Sequence, residues 1–237
     1  MSYVIAVRAL CEFTAKTGDL DLRFTPSPSG QEGITGHGIV TSKRGGHYQA
    51  EVALSGAYQE LIVRGRADGF DPAAKQLEEI KTYRGCLEAI PNHHRQLHWA
   101  QAKIYGWLLC DQSGLPGLNV AVTYFNVDSA KETSFPGYFS AEQLWDFFKC
   151  QCTSFLAWAR QELAHRSARD AALNTLRFPH AEFRAGQRDL AVAVYKSICK
   201  ERKLLAQAPT GIGKTLATLF PALKAAATKR LDNIYFL

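Results

Sequence analysis

The sequence predicts an α/β protein in which a central mixed sheet is flanked by helices, with the first βα unit of a second domain behind it. Three observations lead there. Between residues 47 and 83, alternating and β-branched runs are separated by turn residues, as in a β-meander. Apolar residues then recur at helical spacing in HHRQLHWAQAKIYGWLLCDQ, before the strand-like LNVAVTYFNV. Finally, KLLAQAP leads into the glycine-containing loop TGIGKT, and helix-like LATLFPALKAAATKR follows it.

Composition allows this. The chain has 237 residues, enough for one full domain plus a second, smaller part. Hydrophobic residues make up 46%, which suffices for a core. The net charge of +6 admits an acidic partner such as nucleic acid. Cys11, Cys86, Cys110, Cys150, Cys152 and Cys199 form no C-x-x-C pair. They read as reduced thiols, not as a disulfide framework or a zinc site. MSYVIAVRALCEF lacks a basic start and a long apolar run, and no stretch of eighteen apolar residues occurs. The expectation is a cytoplasmic protein with no membrane span.

In chain order, YVIAVRALCEF and LDLRF read as a hairpin over residues 3–25. TPSPSGQEG reads as a loop, and ITGHGIVTSKR as one or two helical turns. HYQAEVALSG, ELIVRGRADGFD and KQLEEIKTY are three antiparallel strand candidates. Leu97, Ala100, Ile104, Trp107 and Leu108 mark the helix after them. A long amphipathic helix covers residues 141–176, and RFPHAEFRAG breaks it with Pro179 and Gly186. The composition shift places a domain boundary near residue 170. Beyond it, QRDLAVAVYKSICKER reads as a helix, KLLAQAP as a short buried strand and DNIYFL as the start of another. The aromatics near the end of the first domain read as core at helical spacing, with a stacking platform for single-stranded DNA as the alternative.

The segment from Gly65 to Arg84 concentrates the chemistry. Glu79 and Lys81 are two apart on one strand, so they share a face. Asp68 ends the preceding strand, and a short connection brings it beside Glu79. Two such close carboxylates repel unless something neutralises them. A divalent cation does so, and magnesium is satisfied by one or two carboxylates plus water and phosphate oxygens. A lysine at that point holds a water or stabilises charge on phosphorus. The alternative is an exposed sheet face bearing charges of both signs. Glu78 is expected on the opposite face from Glu79.

GRADG (65–69), EEIKT (78–82) and QAKIY (101–105) resemble, in order, the motifs of the PD-(D/E)xK nuclease superfamily in its RecB-like branch. The resemblance implies a restriction-endonuclease-like (PD-(D/E)xK) core over residues 1–170 and a metal-dependent deoxyribonuclease. Asp68, Glu79 and the carbonyl of Ile80 would bind Mg²⁺ or Mn²⁺, and Lys81 would orient the attacking water. Gln101 and Tyr105, one turn apart on a helix, would brace the site or touch the DNA backbone. His37 is the match for a histidine ligand from the first helix, with Glu32, Glu51 and His47 as rivals. Arg64, Arg66, Arg84 and Arg95 would pair with phosphates. Some members of this branch carry an iron–sulfur cluster, and the cysteine spacing here predicts none.

APTGIGKT (208–215) is a Walker A loop with Ala in place of the first Gly. Its backbone at Thr210, Gly211 and Gly213 would cradle ATP phosphates, Lys214 would meet the β/γ-phosphates and Thr215 would hold Mg²⁺. FRAGQ (183–187) resembles the adenine-contacting motif of superfamily 2 helicases, which implies that Gln187, with Arg184, contacts the base. The run as a whole resembles XPD-like and DinG-like DNA helicases, some of which carry a RecB-like nuclease in front. Residues 171–237 would then be the beginning of a RecA-like helicase ATPase domain, with the rest of the motor missing from this chain. No acidic box follows Thr215, so weak or absent ATP turnover is expected of these 237 residues. The reading is a nuclease domain joined to a DNA helicase, in DNA repair or processing. The alternative is a non-catalytic DNA-binding or interaction domain of such a helicase.

Overall fold

The computed structural model describes residues 3–18, 27–229 and 231–235. They divide into two compact units, residues 1–158 and 159–237.

The first unit is a mixed sheet with helices on it. β1 (Tyr3–Ala6) leads directly into α1 (Val7–Thr14). The expected hairpin is therefore not formed by residues 3–14, and its second strand at 20–24 lies outside the described residues. Val7, Leu10 and Cys11 explain the difference: at three- and four-residue spacing they are all fully buried, a pattern that a helix satisfies and a strand does not. α2 (Gly30–Ser42) is longer than the one or two turns expected. It starts within the segment read as a loop. Ser29 caps it, accepting from the Glu32 backbone while the Glu32 carboxylate accepts from the Ser29 backbone, a complete capping box.

β2 (Gln49–Tyr58), β3 (Leu61–Asp71) and β4 (Gln76–Tyr83) form the meander. A single 3-10 turn (Leu87–Ala89) precedes α3 (Asn92–Ser113), and β5 (Gly117–Asn126) follows. β6 (Glu132–Ser140) is an additional strand, absent from the sequence reading, and α4 (Ala141–Thr175) closes the unit and runs into the next.

Strand order is β1-β3-β4-β5-β6, with β2 on β3. β3 and β4 pair antiparallel only at Gly69–Asp71 and Gln76–Glu78, while β4 and β5 run parallel over residues 76–83 and 119–126. β1 pairs with β3 at Leu61–Arg64, and β2 pairs with β3 over most of its length. Residues 65–68 of β3 therefore pair with neither β1 nor β4. The sheet forks there. Among the described residues β6 is an edge strand, paired with β5 alone, and it carries Pro136 opposite Ala121.

The main core lies between the sheet and α1, α3 and α4, around Leu61, Val63, Leu77, Ile104, Leu108, Val120, Leu144 and Phe148. A smaller apolar group, Val40, Ile80 and Phe125, seats α2 on the other face. Gly36 permits this contact: a Cβ there would lie 2.6 Å from the Thr82 methyl.

In the second unit, α5 (Gln187–Cys199) packs with α6 (Lys214–Lys229). Phe178 stacks on Phe183 at 3.8 Å between ring centroids. KLLAQAP is not a buried strand. Residues 203–209 have no regular structure, and Leu205 is fully exposed. Residues 231–235 are likewise not a strand. The apolar run has strand propensity, but no described strand lies beside it to supply ladder hydrogen bonds or cover its faces.

Candidate functional site

The fork in the sheet organises the site. Past Glu78, β4 no longer pairs with β3, so Glu79 and Lys81 face α3 from a stretch of strand with no ladder to β3. The Asp68 carboxylate closes the head of the fork by accepting the Ile80 backbone N–H at 2.6 Å. Its other oxygen lies 3.2 Å from His37 Nδ1, delivered by α2 from the opposite face. That hydrogen bond holds the His37 imidazolium above its ordinary value, against the lowering effect of burial.

Lys81 donates to Glu79 Oε1 at 2.6 Å and to the Gln101 amide oxygen at 2.9 Å. Glu79 is 4% exposed, and its second oxygen, Oε2, is buried with no hydrogen-bond partner. Desolvation raises its carboxyl above the usual carboxylate range despite the Lys81 ammonium. An orphaned buried carboxylate oxygen is costly unless a cation or donor meets it.

Gln101 and Tyr105 divide the two arms of the fork between them. Gln101 holds Lys81 on β4, while the Tyr105 phenol packs against Gly65 on the stretch of β3 that pairs with neither β1 nor β4. Gly65 makes room for it: a Cβ there would lie 2.6 Å from Tyr105 Oη.

Asp68, Glu79, Ile80, Lys81, Gln101, Tyr105 and His37 are thus brought together, though they come from four elements. The rivals to His37 are elsewhere. Glu32 is engaged by Ser29 and Arg84, Glu51 by Arg66 on the surface, and His47 is exposed. Among the described residues, no three His, Cys, Asp or Glu side chains form a ready-made metal cage. The Asp68 carboxylate and the free oxygen of Glu79 offer oxygen ligands of the kind a hard cation takes.

Glu78 faces the other way and is buried, 2% exposed. It accepts from Arg44 through two hydrogen bonds, from Tyr48 at 2.8 Å and from Thr123 at 2.5 Å. Burial pushes its carboxyl up, and these donors together outweigh that and hold it below the usual carboxylate range. The arginines expected on phosphate differ. Arg84 is paired with Glu32 and Asp128, and Arg95 donates to the carbonyls of Leu87 and Ile90. Arg64 and Arg66 are exposed on β3.

His98 is half-buried, with Nδ1 3.0 Å from the Tyr124 hydroxyl, and burial lowers its pKa to about 3. Sequence reasoning also missed Arg44 and Tyr48, whose partner Glu78 is distant in sequence.

In the second unit, Gly211 and Gly213 have φ of 87° and 80°, which side chains rarely adopt. Buried Gln187 accepts the Arg184 N–H at 3.0 Å and donates to the Gly213 carbonyl at 3.2 Å. Arg184 donates to the Gly211 carbonyl at 2.6 Å. Gln187 and Arg184 thus meet the loop that holds Thr210, Lys214 and Thr215. The Lys214 ammonium folds back on the carbonyls of Ala208 and Pro209, at 3.2 and 3.1 Å. α6 begins at Lys214, so its free N–H groups open towards the loop.

The model of the DEAD/DEAH box helicase family matches residues 188–237. "Probable ATP-dependent helicase MJ0942" of Methanocaldococcus jannaschii is 39% identical over 54 residues, which is 23% of this chain and 8% of that protein. A solved structure titled "Crystal structure of SSO0001" aligns with TM-score 0.40 at 17% identity, covering 65% of this chain and 77% of that one. The chain's own topology is a mixed α/β fold, with a central mixed sheet flanked by helices, and the family match makes residues 188–237 a helicase-related segment. Among the described residues, no helix is long and apolar enough to cross a membrane.

Proposed function

We propose that residues 1–170 form a metal-dependent DNA nuclease of the PD-(D/E)xK, RecB-like type, joined to the start of an ATP-dependent DNA helicase that acts in DNA repair or processing. The observation that carries it is the buried Glu79 carboxylate at the fork, with Lys81 on one oxygen and nothing on the other.

Asp68 and Glu79, with the Ile80 carbonyl and His37, would hold Mg²⁺ or Mn²⁺, which when bound supplies Lewis acidity to the phosphodiester. Lys81 has three N–H donors, and Glu79 and Gln101 take two. The third is left for the attacking water or a phosphoryl oxygen. Glu79 and Gln101 fix the ammonium so that it need not reorganise as negative charge develops on phosphorus. Tyr105 packs on the β3 arm of the fork at Gly65. Arg64 and Arg66 extend along the same strand as Asp68 and would bind neighbouring phosphates, which makes affinity salt-dependent.

In the second unit, Thr210, Gly211, Gly213, Lys214 and Thr215 would bind ATP phosphates and Mg²⁺, and Gln187 the base. Lys214 would exchange two loop carbonyls for phosphate oxygens.

The test is cleavage of end-labelled single- and double-stranded DNA with Mg²⁺ or Mn²⁺, comparing the wild type with Asp68→Ala and Lys81→Ala. Metal-dependent cutting that both substitutions abolish is expected. Intact DNA that all three forms still bind would favour a DNA-binding domain without catalysis.

A further inference from the structure

A cavity of about 480 Å³ opens beside the fork. Lys81 lines it and also belongs to the fork. Ala89, Ile90 and Pro91 form one apolar side, and His98 and Tyr124 lie in the lining with them. Resting on the nuclease reading, we propose that this cavity takes one unpaired nucleobase of the DNA, next to the phosphate that reacts at Lys81.

Size and chemistry agree. The volume falls in the range of sites that enclose a small organic ligand. A base offers flat apolar faces, and the lining offers a proline, an isoleucine and aromatic rings. Base faces stack on such surfaces with little sequence preference. The polar groups suit a neutral guest better than a second phosphate. His98 is tied through Nδ1 to Tyr124, and Arg84 in the lining is already paired with Glu32 and Asp128. The base enters only if it is not in a duplex, because a paired base cannot leave its stack without cost. The site therefore selects single strands or frayed ends.

The test uses the whole chain, an oligothymidylate and an abasic oligomer of the same length. Binding is read by fluorescence anisotropy with Ca²⁺, and cutting is read with Mg²⁺. Ala89→Trp narrows the cavity from an exposed position on the 3-10 turn, and an unchanged thermal midpoint shows that the variant folds. The wild type is expected to bind the thymidylate about tenfold more tightly than the abasic oligomer, and Ala89→Trp to remove that difference by weakening thymidylate alone. Equal affinity for the two oligomers, or a preference that Ala89→Trp leaves intact, overturns the proposal even if the wild type cuts DNA. A base preference that Ala89→Trp removes, in a protein that cuts nothing, supports the cavity and overturns the nuclease reading instead.

Discussion

The ammonium of Lys81 on β4 donates to the amide oxygen of Gln101 on α3 at 2.9 Å, so the position of the lysine depends on a helix as well as on its own strand. Gln101→Leu removes that acceptor without touching the carboxylates. Single-turnover DNA cleavage should slow by about 10–100-fold, the usual cost of losing a group that orients a site residue. Affinity for DNA should change little. Gln101→Glu keeps an acceptor and should retain more of the rate.

Gly65 and Tyr105 are also in close approach. Gly65→Ala would place a methyl group 2.6 Å from Tyr105 Oη and 2.9 Å from Cε1. Overpacking of this kind costs about 1–3 kcal/mol. Urea unfolding should show the loss, and a double-mutant cycle with Tyr105→Leu should show that the two changes are not additive.

Arg44 neutralises a carboxylate that is almost wholly removed from water. Side-chain exposure is 24% for Arg44 and 2% for Glu78. Arg44→Met strands that charge and should destabilise the fold by about 3–5 kcal/mol. Denaturant titration checks the value. Adding Glu78→Gln to Arg44→Met should recover part of the loss, because the stranded charge is then gone.

His98 gives a pH dependence of definite sign. Its folded pKa of about 3 lies below the ordinary value of about 6.5. Between those values the unfolded chain binds a proton that the folded chain refuses, so stability falls as pH drops from about 6.5 towards 3. The His98 imidazole NMR resonances should stay flat between about pH 5 and 8. His98→Phe should weaken the acid-induced loss of stability.

In the loop at 208–215, Lys214→Ala should abolish binding of a fluorescent ATP analogue. Gln187→Ala should weaken it about tenfold, since the loop loses the side chain that holds Arg184 and Gly213 in place.

The elements legible in the sequence were those whose periodicity matched their burial. β2 alternates, β4 and β5 are apolar runs buried on both faces, and α3 repeats at helical spacing, as their packing demands. β6 was hidden because ETSFPGYFS carries Pro136 and Gly137 and is half-exposed at an edge. α1 was misread because β-branched residues precede the buried Val7, Leu10 and Cys11. α2 was shortened because its glycines mask it, although Ser29-x-x-Glu32 is a capping box visible in the sequence. The site residues could be named from their motifs. The fork that gathers them could not, because it depends on where two strands stop pairing. The cavity beside Lys81 was equally hidden, since its walls come from segments distant in sequence.

β6 has one more consequence. An edge strand invites a neighbouring molecule to extend the sheet. Pro136 has no N–H to offer such a neighbour, and an edge is where a strand tolerates that gap. A second copy laid along this edge would find the row of donors broken halfway. The same proline that hid the strand from sequence reading therefore guards the sheet against fibrous stacking.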